Sequence, residues 1–219
     1  VMIALGNSTD IVSEEAGSTL AKFANIMDMD QSLFQNLGST RVDLGNNFAT
    51  TESAIMEMAL RLAGAGKQVG LSEAQILGFA TALSAVGIEA QMGGSALSKA
   101  LVKMEVAAAT GGEALTDFAT ICGMTEEQFV QIWNADPAVV FQAFIQNLAR
   151  MDEEGISAIA VLNDIGIAEV RLRDTLLRSV NATELFSATQ ETANRAWEEN
   201  TALAEEAGKR YATTQSRLI

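Results

Sequence analysis

The amino-acid sequence predicts an all-α fold, and three observations support this prediction. Ala, Leu, Met, Glu and Gln are common among the 219 residues, there is a single Pro, and the common residues lose little rotamer freedom in a helix. Hydrophobic residues make up 48% of the chain, which is enough to bury a core. Apolar residues also recur at helical spacing between glycines and capping residues. We therefore expect a multi-helical domain of about 8–11 helices with short Gly-rich turns and a long C-terminal helix.

Capping residues mark where the helices begin. Ser72 and Thr125 each stand three residues before a Gln, the spacing of a capping box in which two side chains satisfy two free backbone N–H groups. Asp136 precedes Pro137, and Pro is tolerated at the first helical position. Together with the apolar period, these signals predict helices over residues 13–29, 31–37, 51–65, 72–87, 93–110, 113–121, from 125 onwards, 137–154, 157–165, 168–180 and 183–219.

Glycine-rich stretches are expected to separate these helices. Residues 38–52, GSTRVDLGNNFATTE, are rich in Gly, Asn, Ser and Thr and are interpreted as the longest loop. Single and paired glycines elsewhere are interpreted as helix ends, where glycine is favoured. These glycines are Gly64 with Gly66, Gly87, Gly93 with Gly94, Gly111 with Gly112, and Gly123.

The C-terminal part of the chain is expected to form one long helix, because residues 183–219 contain no Pro and one glycine, Gly208. The row of residues at helical spacing along this helix is narrow, and about half of its members are polar. We therefore expect this helix to pack against another surface. The chain is therefore divided into a compact helical body, 1–180, and a long helix, 181–219. We expect the first half of that helix to pack on the body and the helix to continue beyond the last residue; it could also mediate self-association.

Composition and charge argue against several functional classes. The formal net charge of −14 would repel phosphate backbones, so direct nucleic-acid binding is not expected. The chain has no His, which removes the commonest general base and the commonest metal ligand. Its one cysteine, Cys122, lies in the apolar stretch TDFATICGM and is expected to be buried without a chemical role. We therefore expect no catalytic residues, no metal ion and no cofactor.

A hydrolase that uses paired carboxylates is the alternative among enzymes. The densest acidic runs are Asp152-Glu153-Glu154 and Glu14-Glu15. Adjacent residues of a helix point in different directions, and no apolar surroundings would raise the pKa of one carboxyl group. Both runs are therefore interpreted as solvated helix ends, which makes an enzyme the less favoured hypothesis.

A membrane-active helical segment is the second alternative, raised by GLSEAQILGFATALSAVGIEAQMGG at residues 70–94. Small residues at helical spacing would allow close helix contact, as in transmembrane dimers. About 15 residues separate Glu73 from Glu89, however, and a helical span needs roughly 20. The segment is better explained as a helix capped by Ser72 and stopped by Gly87, followed by a turn and a second helix, so membrane insertion is not favoured.

The most concentrated positive charge lies in EVRLRDTLLR, residues 169–178. Glu169 stands four residues before Arg173, and Arg171 stands three residues before Asp174, spacings at which helical side chains pair. The segment is therefore expected to present a charge-compensated face, in which Arg171 could also anchor the end of a neighbouring helix. An anion-binding site is the less favoured alternative.

Four blocks of sequence, in a fixed order, carry a family resemblance. The longest is VDLGNNFATTESAIMEMALRLAGAGKQVGLSEAQILGFATALSAVGIEAQMGGSALSKALVKM, residues 42–104. It is followed by LTDFA (115–119), VLNDIGIAEVRLRDTLLR (161–178) and AWEENTALAEEAGKRYATTQSRL (196–218). These blocks resemble the core region of phage tail tape measure proteins of the TP901 type. The likeness covers roughly residues 20–218 and depends on ordered blocks rather than on one short motif.

The resemblance implies a structural protein of long-tailed phages, often encoded by prophages, and not an enzyme. The tail tube polymerises around such a protein, so that the length of the protein sets the length of the tail. Tail-tube subunits, tail assembly chaperones and tail-tip proteins would be its partners. The protein would occur in the bacterial host cytoplasm during assembly and then in the virion tail.

Three stretches are candidate interaction surfaces, since no catalytic residue carries over from the family. They are the Gly-Asn stretch Leu44, Gly45, Asn46, Asn47 and Phe48; the turn from Gly87 to Gly94; and the block 166–174, whose charged residues include Glu169, Arg171 and Arg173. The alternative interpretation is that each stretch is a turn that only fixes how helices pack.

Overall fold

The computed structural model describes residues 13–217 and confirms the all-α class. Within that range the chain forms twelve α-helices and no β-strand, and a short 3-10 helix, Gln31–Leu33, precedes the second of them. The α-helices are α1 (Ser13–Met27), α2 (Phe34–Asn47), α3 (Glu52–Val69), α4 (Glu73–Ala85), α5 (Ala90–Thr110), α6 (Glu113–Cys122), α7 (Glu126–Ala135), α8 (Pro137–Glu153), α9 (Ala158–Asp164), α10 (Val170–Val180), α11 (Thr183–Glu199) and α12 (Ala202–Arg217).

Helix α4 lies at the centre of the fold, in contact with α2, α3 and α11. Every residue from Ile76 to Leu83 is buried, because the run ILGFATAL is apolar all round the helix. The ring of Phe79 lies 5.4 Å from that of Phe141 in α8 and 6.2 Å from that of Phe186 in α11, measured between centroids. Helix α4 therefore joins the elements that pack around it into one core.

A glycine lets α11 approach α4 closely. A Cβ atom at Gly78 would lie 2.7 Å from Gln190 Nε2 and 3.2 Å from Gln190 Cα. Gln190 is 4% exposed, and its Nε2 donates a hydrogen bond of 2.9 Å to the backbone carbonyl of Gln75. The small residues of this segment therefore serve contact between two helices of the same chain.

The helix starts predicted from capping residues are confirmed. The Ser72 hydroxyl accepts from the Gln75 N–H, and the Gln75 side chain accepts from the Ser72 N–H. Thr125 and Gln128 form the same pair of hydrogen bonds before α7, and the Asp136 carboxylate caps α8. The predicted helix ends that are also confirmed are Gly87, Gly111 with Gly112, and Gly123.

The predicted loop over residues 38–52 is wrong, because most of it belongs to α2. Leu37, Val42 and Leu44 are fully buried. Burial of these side chains outweighs the weak helix propensity of the Gly, Ser, Thr and Asn residues between them. The chain leaves the helix only at Phe48, which is extended with φ −124° and ψ 157°.

Four glycines predicted to end helices, two in α3 and two in α5, lie inside those helices instead. Gly94 packs so closely on Arg61 of α3 that a Cβ atom there would overlap the arginine, and a Cβ atom at Gly66 would lie 2.8 Å from the Ile76 side chain. Helix α3 continues to its actual end at Gly70, where φ is +88°, a conformation that favours glycine. Gly66, Gly93 and Gly94 therefore provide packing space rather than chain reversal, whereas a Cβ atom at Gly64 would meet nothing within 4 Å.

The single long C-terminal helix predicted from the sequence is also wrong. Asn200 adopts the left-handed conformation, with φ 53° and ψ 36°, and separates α11 from α12. Ser39 of α2 donates a hydrogen bond of 3.0 Å to the Asn200 side chain, which fixes the break against the body. Helix α11 packs on α4 and α2, and α12 packs on α2. The split brings the helix number to twelve, and the predicted continuation past residue 219 lies outside the described residues.

Candidate interaction surface

A surface groove runs between α5 and α10, two helices that are far apart in the sequence. Its larger cavity has a volume of about 390 Å³ and lies over Ile167 and Leu172, which are 1% and 2% exposed. The residues that line this cavity are Ser98, Lys99, Val102, Lys103, Gly166, Ile167, Glu169 and Leu172. The floor is therefore apolar, while the rim is charged.

A second cavity, of about 260 Å³, continues the groove towards the start of α5. It is lined by Gln91, Met92, Ser95, Ala96, Lys99, Glu169, Arg171 and Leu172. Lys99, Glu169 and Leu172 line both cavities. The two cavities therefore form one elongated feature along α5, which we call the α5–α10 groove.

The turn between α9 and α10 forms one wall of the groove. The Gly166 N–H donates to the Asn163 carbonyl at 3.0 Å, and the Ile167 N–H donates to the Leu162 carbonyl at 2.7 Å. Gly166 has φ +72°, the conformation that such a helix ending requires. This turn buries Ile167 in the floor and places Glu169, in an extended conformation, directly before α10.

An ion pair spans the groove. Lys99 Nζ lies 2.7 Å from both carboxylate oxygens of Glu169, and because both side chains are about half exposed the pair contributes at most about 1 kcal/mol. Lys103, one turn further along α5, lies beside Gly166 and pairs with no carboxylate among the described side chains. The residues lining the two cavities thus include three cations, Lys99, Lys103 and Arg171, against the carboxylate of Glu169.

Apolar side chains extend the groove beyond its cavities. Val102, which lines the larger cavity, is 41% exposed, and Val106, one turn further along α5, is 53% exposed. Val102 and Val106 lie on the same face of α5 because they are four residues apart. The groove is therefore flanked by apolar surface that remains in contact with water in the isolated chain.

The first predicted surface, the Gly-Asn stretch, is the end of α2 and serves mainly packing. Leu44 is buried, Phe48 packs partly buried against the core, and Gly45 leaves space for a side chain of α3. Asn47 donates to a backbone carbonyl of its own helix at 2.8 Å. Asn46 is exposed. The two cavities of the α5–α10 groove are lined by other residues.

The second predicted surface, from Gly87 to Gly94, divides into an exposed turn and a buried contact. Gly87 is exposed between α4 and α5, whereas Gly94 is buried against α3. A cavity of about 370 Å³ adjoins the turn and is lined by Ala54, Glu57, Met58, Ser84, Ile88, Glu89, Ala90 and Gln91. The structure therefore favours a packing role for Gly94 and leaves the residues after Gly87 at a surface cavity.

The third predicted surface, the charged block of α10, lies at the α5–α10 groove, but its predicted ion pairs are wrong. Glu169 reaches across to α5 instead of pairing with Arg173, and Asp174 pairs with Arg178 at 3.2 Å instead of with Arg171. Arg171 lines the second cavity, whereas Arg173 is half-buried and lines neither cavity.

The residues considered for chemistry lie outside the groove. Cys122 is buried, and burial raises the pKa of its thiol to about 12, so the sulfur stays protonated. The acidic run 152–154 is exposed at the end of α8, and the side chains of Glu14 and Glu15 lie outside the described residues. In the part of the chain that the structure describes, no cluster of three His, Cys, Asp or Glu residues is arranged to hold a metal ion.

The segment at residues 70–94 forms α4, the following turn and the start of α5. Its residues from Ile76 to Leu83 are buried against other helices. None of the helices in residues 13–217 has both the length and the apolar character needed to cross a membrane.

Sequence reasoning missed the α5 side of the groove. The sequence pattern predicts Lys99, Val102 and Lys103 only as part of a helix, although it contains two lysines four residues apart with a valine between them. That spacing places both ammonium groups on one helix face. Only the packing of α10 on α5 shows that this face meets the charged block.

The groove combines an apolar floor, an elongated shape and a rim with three cations to one carboxylate. Such a surface can bind an apolar, acidic partner, because burial of apolar area stabilises the contact and the cations select the sign of charge. Comparison of the chain with protein-family models, with curated proteins and with solved structures finds no match.

Proposed function

We propose that this chain is a structural module of a phage tail tape measure protein that templates the tail tube and helps to set tail length. The observation that carries this proposal is the ordered resemblance of residues 42–104, 115–119, 161–178 and 196–218 to the TP901-type core region. In this role the chain acts through contacts with other proteins and not through catalysis.

The fold supports the proposal because the resembling blocks are neighbours in space. The block 42–104 supplies α3, α4 and most of α5, and the block 161–178 supplies most of α10, which packs on α5. The last block supplies α12, which packs on α2 where the first block begins. The blocks 42–104, 161–178 and 196–218 therefore belong to one folded unit.

Partners and location are part of the same proposal. Tail-tube subunits, tail assembly chaperones and tail-tip proteins would contact the module, and α11 and α12 could contribute to self-association. The module would act in the bacterial host cytoplasm during assembly and remain in the virion tail afterwards. The α5–α10 groove supports a role in protein contacts, since it offers exposed apolar side chains beside three cations.

Changing the length of the full gene in frame tests the proposal. Deletion or duplication of the segment encoding residues 42–104 should shorten or lengthen tails, by up to about 1.5 Å per residue if that segment is an extended helix in the tube. Electron microscopy of tails gives the measurement. Gly64→Ala, at an exposed position with no neighbouring atoms within 4 Å, is the control that leaves chain length and tail length unchanged.

Two results would count against this proposal. Assembled tails of unchanged length in both the deletion and the duplication would overturn it. Leakage of liposome contents caused by the isolated chain at micromolar concentration would favour the membrane-active alternative instead.

A further inference from the structure

We propose that the α5–α10 groove is the docking site for an acidic amphipathic α-helix of a partner protein. This assignment comes from the shape, the apolar surface and the charge of the groove. It does not require the protein to be a tape measure module, so it can fail or succeed independently of the proposed function.

The shape of the groove favours a helix. Its lining residues extend along α5 from Gln91 to Lys103, which corresponds to about 18 Å of helix length. A partner helix of about 12 residues has the same length. The two cavities lie one after the other along this direction, so they can receive successive apolar side chains from one face of such a helix.

The apolar surface extends further than a small molecule would cover. The floor of the larger cavity contains Ile167 and Leu172, and a compact ligand could fill that cavity alone. Val106 lies outside both cavities, one turn beyond Val102 on the same face of α5, and is 53% exposed. An elongated partner covers this side chain as well as the floor, and the additional burial favours a helix over a small ligand.

The charge of the groove defines the chemistry of the partner. Lys99, Lys103 and Arg171 line the cavities against the single lining carboxylate of Glu169, in a chain whose formal net charge is −14. A partner that carries Glu or Asp beside its apolar stripe is attracted here, whereas a basic helix is repelled. An anionic membrane also attracts cations, but a flat lipid surface does not match an apolar floor that lies between two helices.

Peptide binding to the intact chain tests this docking site. The probe is a fluorescein-labelled helical peptide of about 14 residues, with Leu at positions i, i+3, i+4 and i+7 and Glu at the flanking positions. Matched peptides carry Gln or Lys in place of Glu. We expect fluorescence anisotropy to show that the Glu peptide binds at least about tenfold more tightly than either matched peptide, with affinity falling as salt is raised.

Charge and apolar variants of the protein locate the bound peptide. Lys103→Glu should weaken binding of the Glu peptide about fivefold or more and strengthen binding of the Lys peptide. Lys22→Glu, at an exposed position of α1, makes the same change of net charge and should have less than a twofold effect. Val102→Asp should weaken binding about tenfold or more, because it places a carboxylate in the apolar contact. Val139→Asp, at a similarly exposed valine of α8, is its control.

Thermal melting of each variant shows whether it is folded before its affinity is interpreted. The docking site would be overturned if the Glu and Gln peptides bound equally, if neither bound, or if the two control variants weakened binding as much as the groove variants. It would also be overturned if Lys103→Glu and Val102→Asp left peptide binding intact but abolished binding to phosphatidylglycerol vesicles. Sedimentation could also show a dimer that Val102→Asp dissociates. This result would assign the groove to a second copy of the chain and overturn the proposed docking site.

Discussion

Helices α4 and α10 are similar in length, with 13 and 11 residues, but their surroundings are opposite. Helix α4 is apolar on all sides and is enclosed by other helices. Helix α10 buries Leu172, Leu176 and Val180 on one face and leaves Val170 and Arg171 exposed, with Arg171 at the groove. The comparison separates a helix that is buried at the centre of the core, α4, from one that leaves part of its surface exposed, α10.

The largest expected effect contrasts one apolar-to-acidic substitution in each helix. Leu83→Asp in α4 should destabilise the chain by about 4 kcal/mol or more, because it removes a fully buried side chain and buries a charge. Val170→Asp in α10 should change the free energy of unfolding by less than about 1 kcal/mol, because this side chain is exposed and lies at a helix start, where acidic residues are favoured.

Urea denaturation followed by circular dichroism measures both free energies. If Leu83→Asp unfolds at the same urea concentration as the unmodified chain, α4 is not the buried centre of the fold. A large loss of stability in Val170→Asp would show instead that the start of α10 is a structural contact.

Chemical labelling of Cys122, at the contact of α6 with α8, tests whether these two helices exclude solvent as fully as the helices around α4. Its thiol is buried, lies 3.8 Å from the Val140 carbonyl and has a pKa raised by burial to about 12. At pH 8 only about one thiol in ten thousand is then ionised, so labelling by iodoacetamide should be at least about a thousandfold slower than in urea. Rapid labelling of the folded chain would show that the contact between α6 and α8 opens readily.

The raised pKa of Cys122 also predicts a pH dependence. An unfolded thiol titrates near its reference pKa of 9.0, and the folded thiol near 12. The contribution of the buried neutral thiol to stability is therefore complete below pH 9 and is lost as the pH rises towards 12. The difference in stability between the unmodified chain and Cys122→Ala should shrink across this range, and a constant difference would contradict the assignment.

Substitution of two glycines by alanine distinguishes the cost of a steric collision from the gain in helix propensity. Gly78→Ala should destabilise the chain by about 1–3 kcal/mol, because the added Cβ atom collides with Gln190 of α11. Gly64→Ala should stabilise it by about 0.5–1 kcal/mol, because nothing lies within 4 Å and alanine is the better helix former. Thermal unfolding of both variants gives the comparison, and equal shifts in the two melting temperatures would contradict the close contact of α4 and α11.

The features that the sequence predicts correctly depend on residues close together in the chain. The capping boxes at Ser72 and Thr125 involve residues three positions apart, so the sequence pattern contains the whole interaction. The all-α class likewise follows from composition and apolar spacing. These local signals were sufficient to place most helix starts.

The errors share a different physical cause, which is contact between distant residues. The sequence pattern predicts a helix end at Gly94. In the structure Gly94 instead leaves room for Arg61, which lies 33 residues earlier in the chain. Asn200 ends α11 with the help of Ser39 on another helix. Contact between distant residues also explains why only part of the candidate site is predicted. The α10 side of the groove is visible in the sequence as a charged block, but the pairing of Glu169 with Lys99 of α5 is a tertiary contact.

The smallest expected effect concerns the ion pair across the groove. Glu169→Gln removes the carboxylate that lies 2.7 Å from Lys99 Nζ, yet stability should fall by less than about 1 kcal/mol because both side chains are half exposed. Asp174→Asn, which removes the partner of Arg178 within α10, is the matched control and should cost about 0.3–0.5 kcal/mol. The free energies come from urea denaturation at low salt.

A loss above about 2 kcal/mol in Glu169→Gln alone would mean that the ion pair holds α5 and α10 together, so that the groove is a structural contact. The expected small loss would leave Lys99 free to exchange Glu169 for an acidic group of a partner, which is the property that distinguishes the surface of α10 from the closed surroundings of α4.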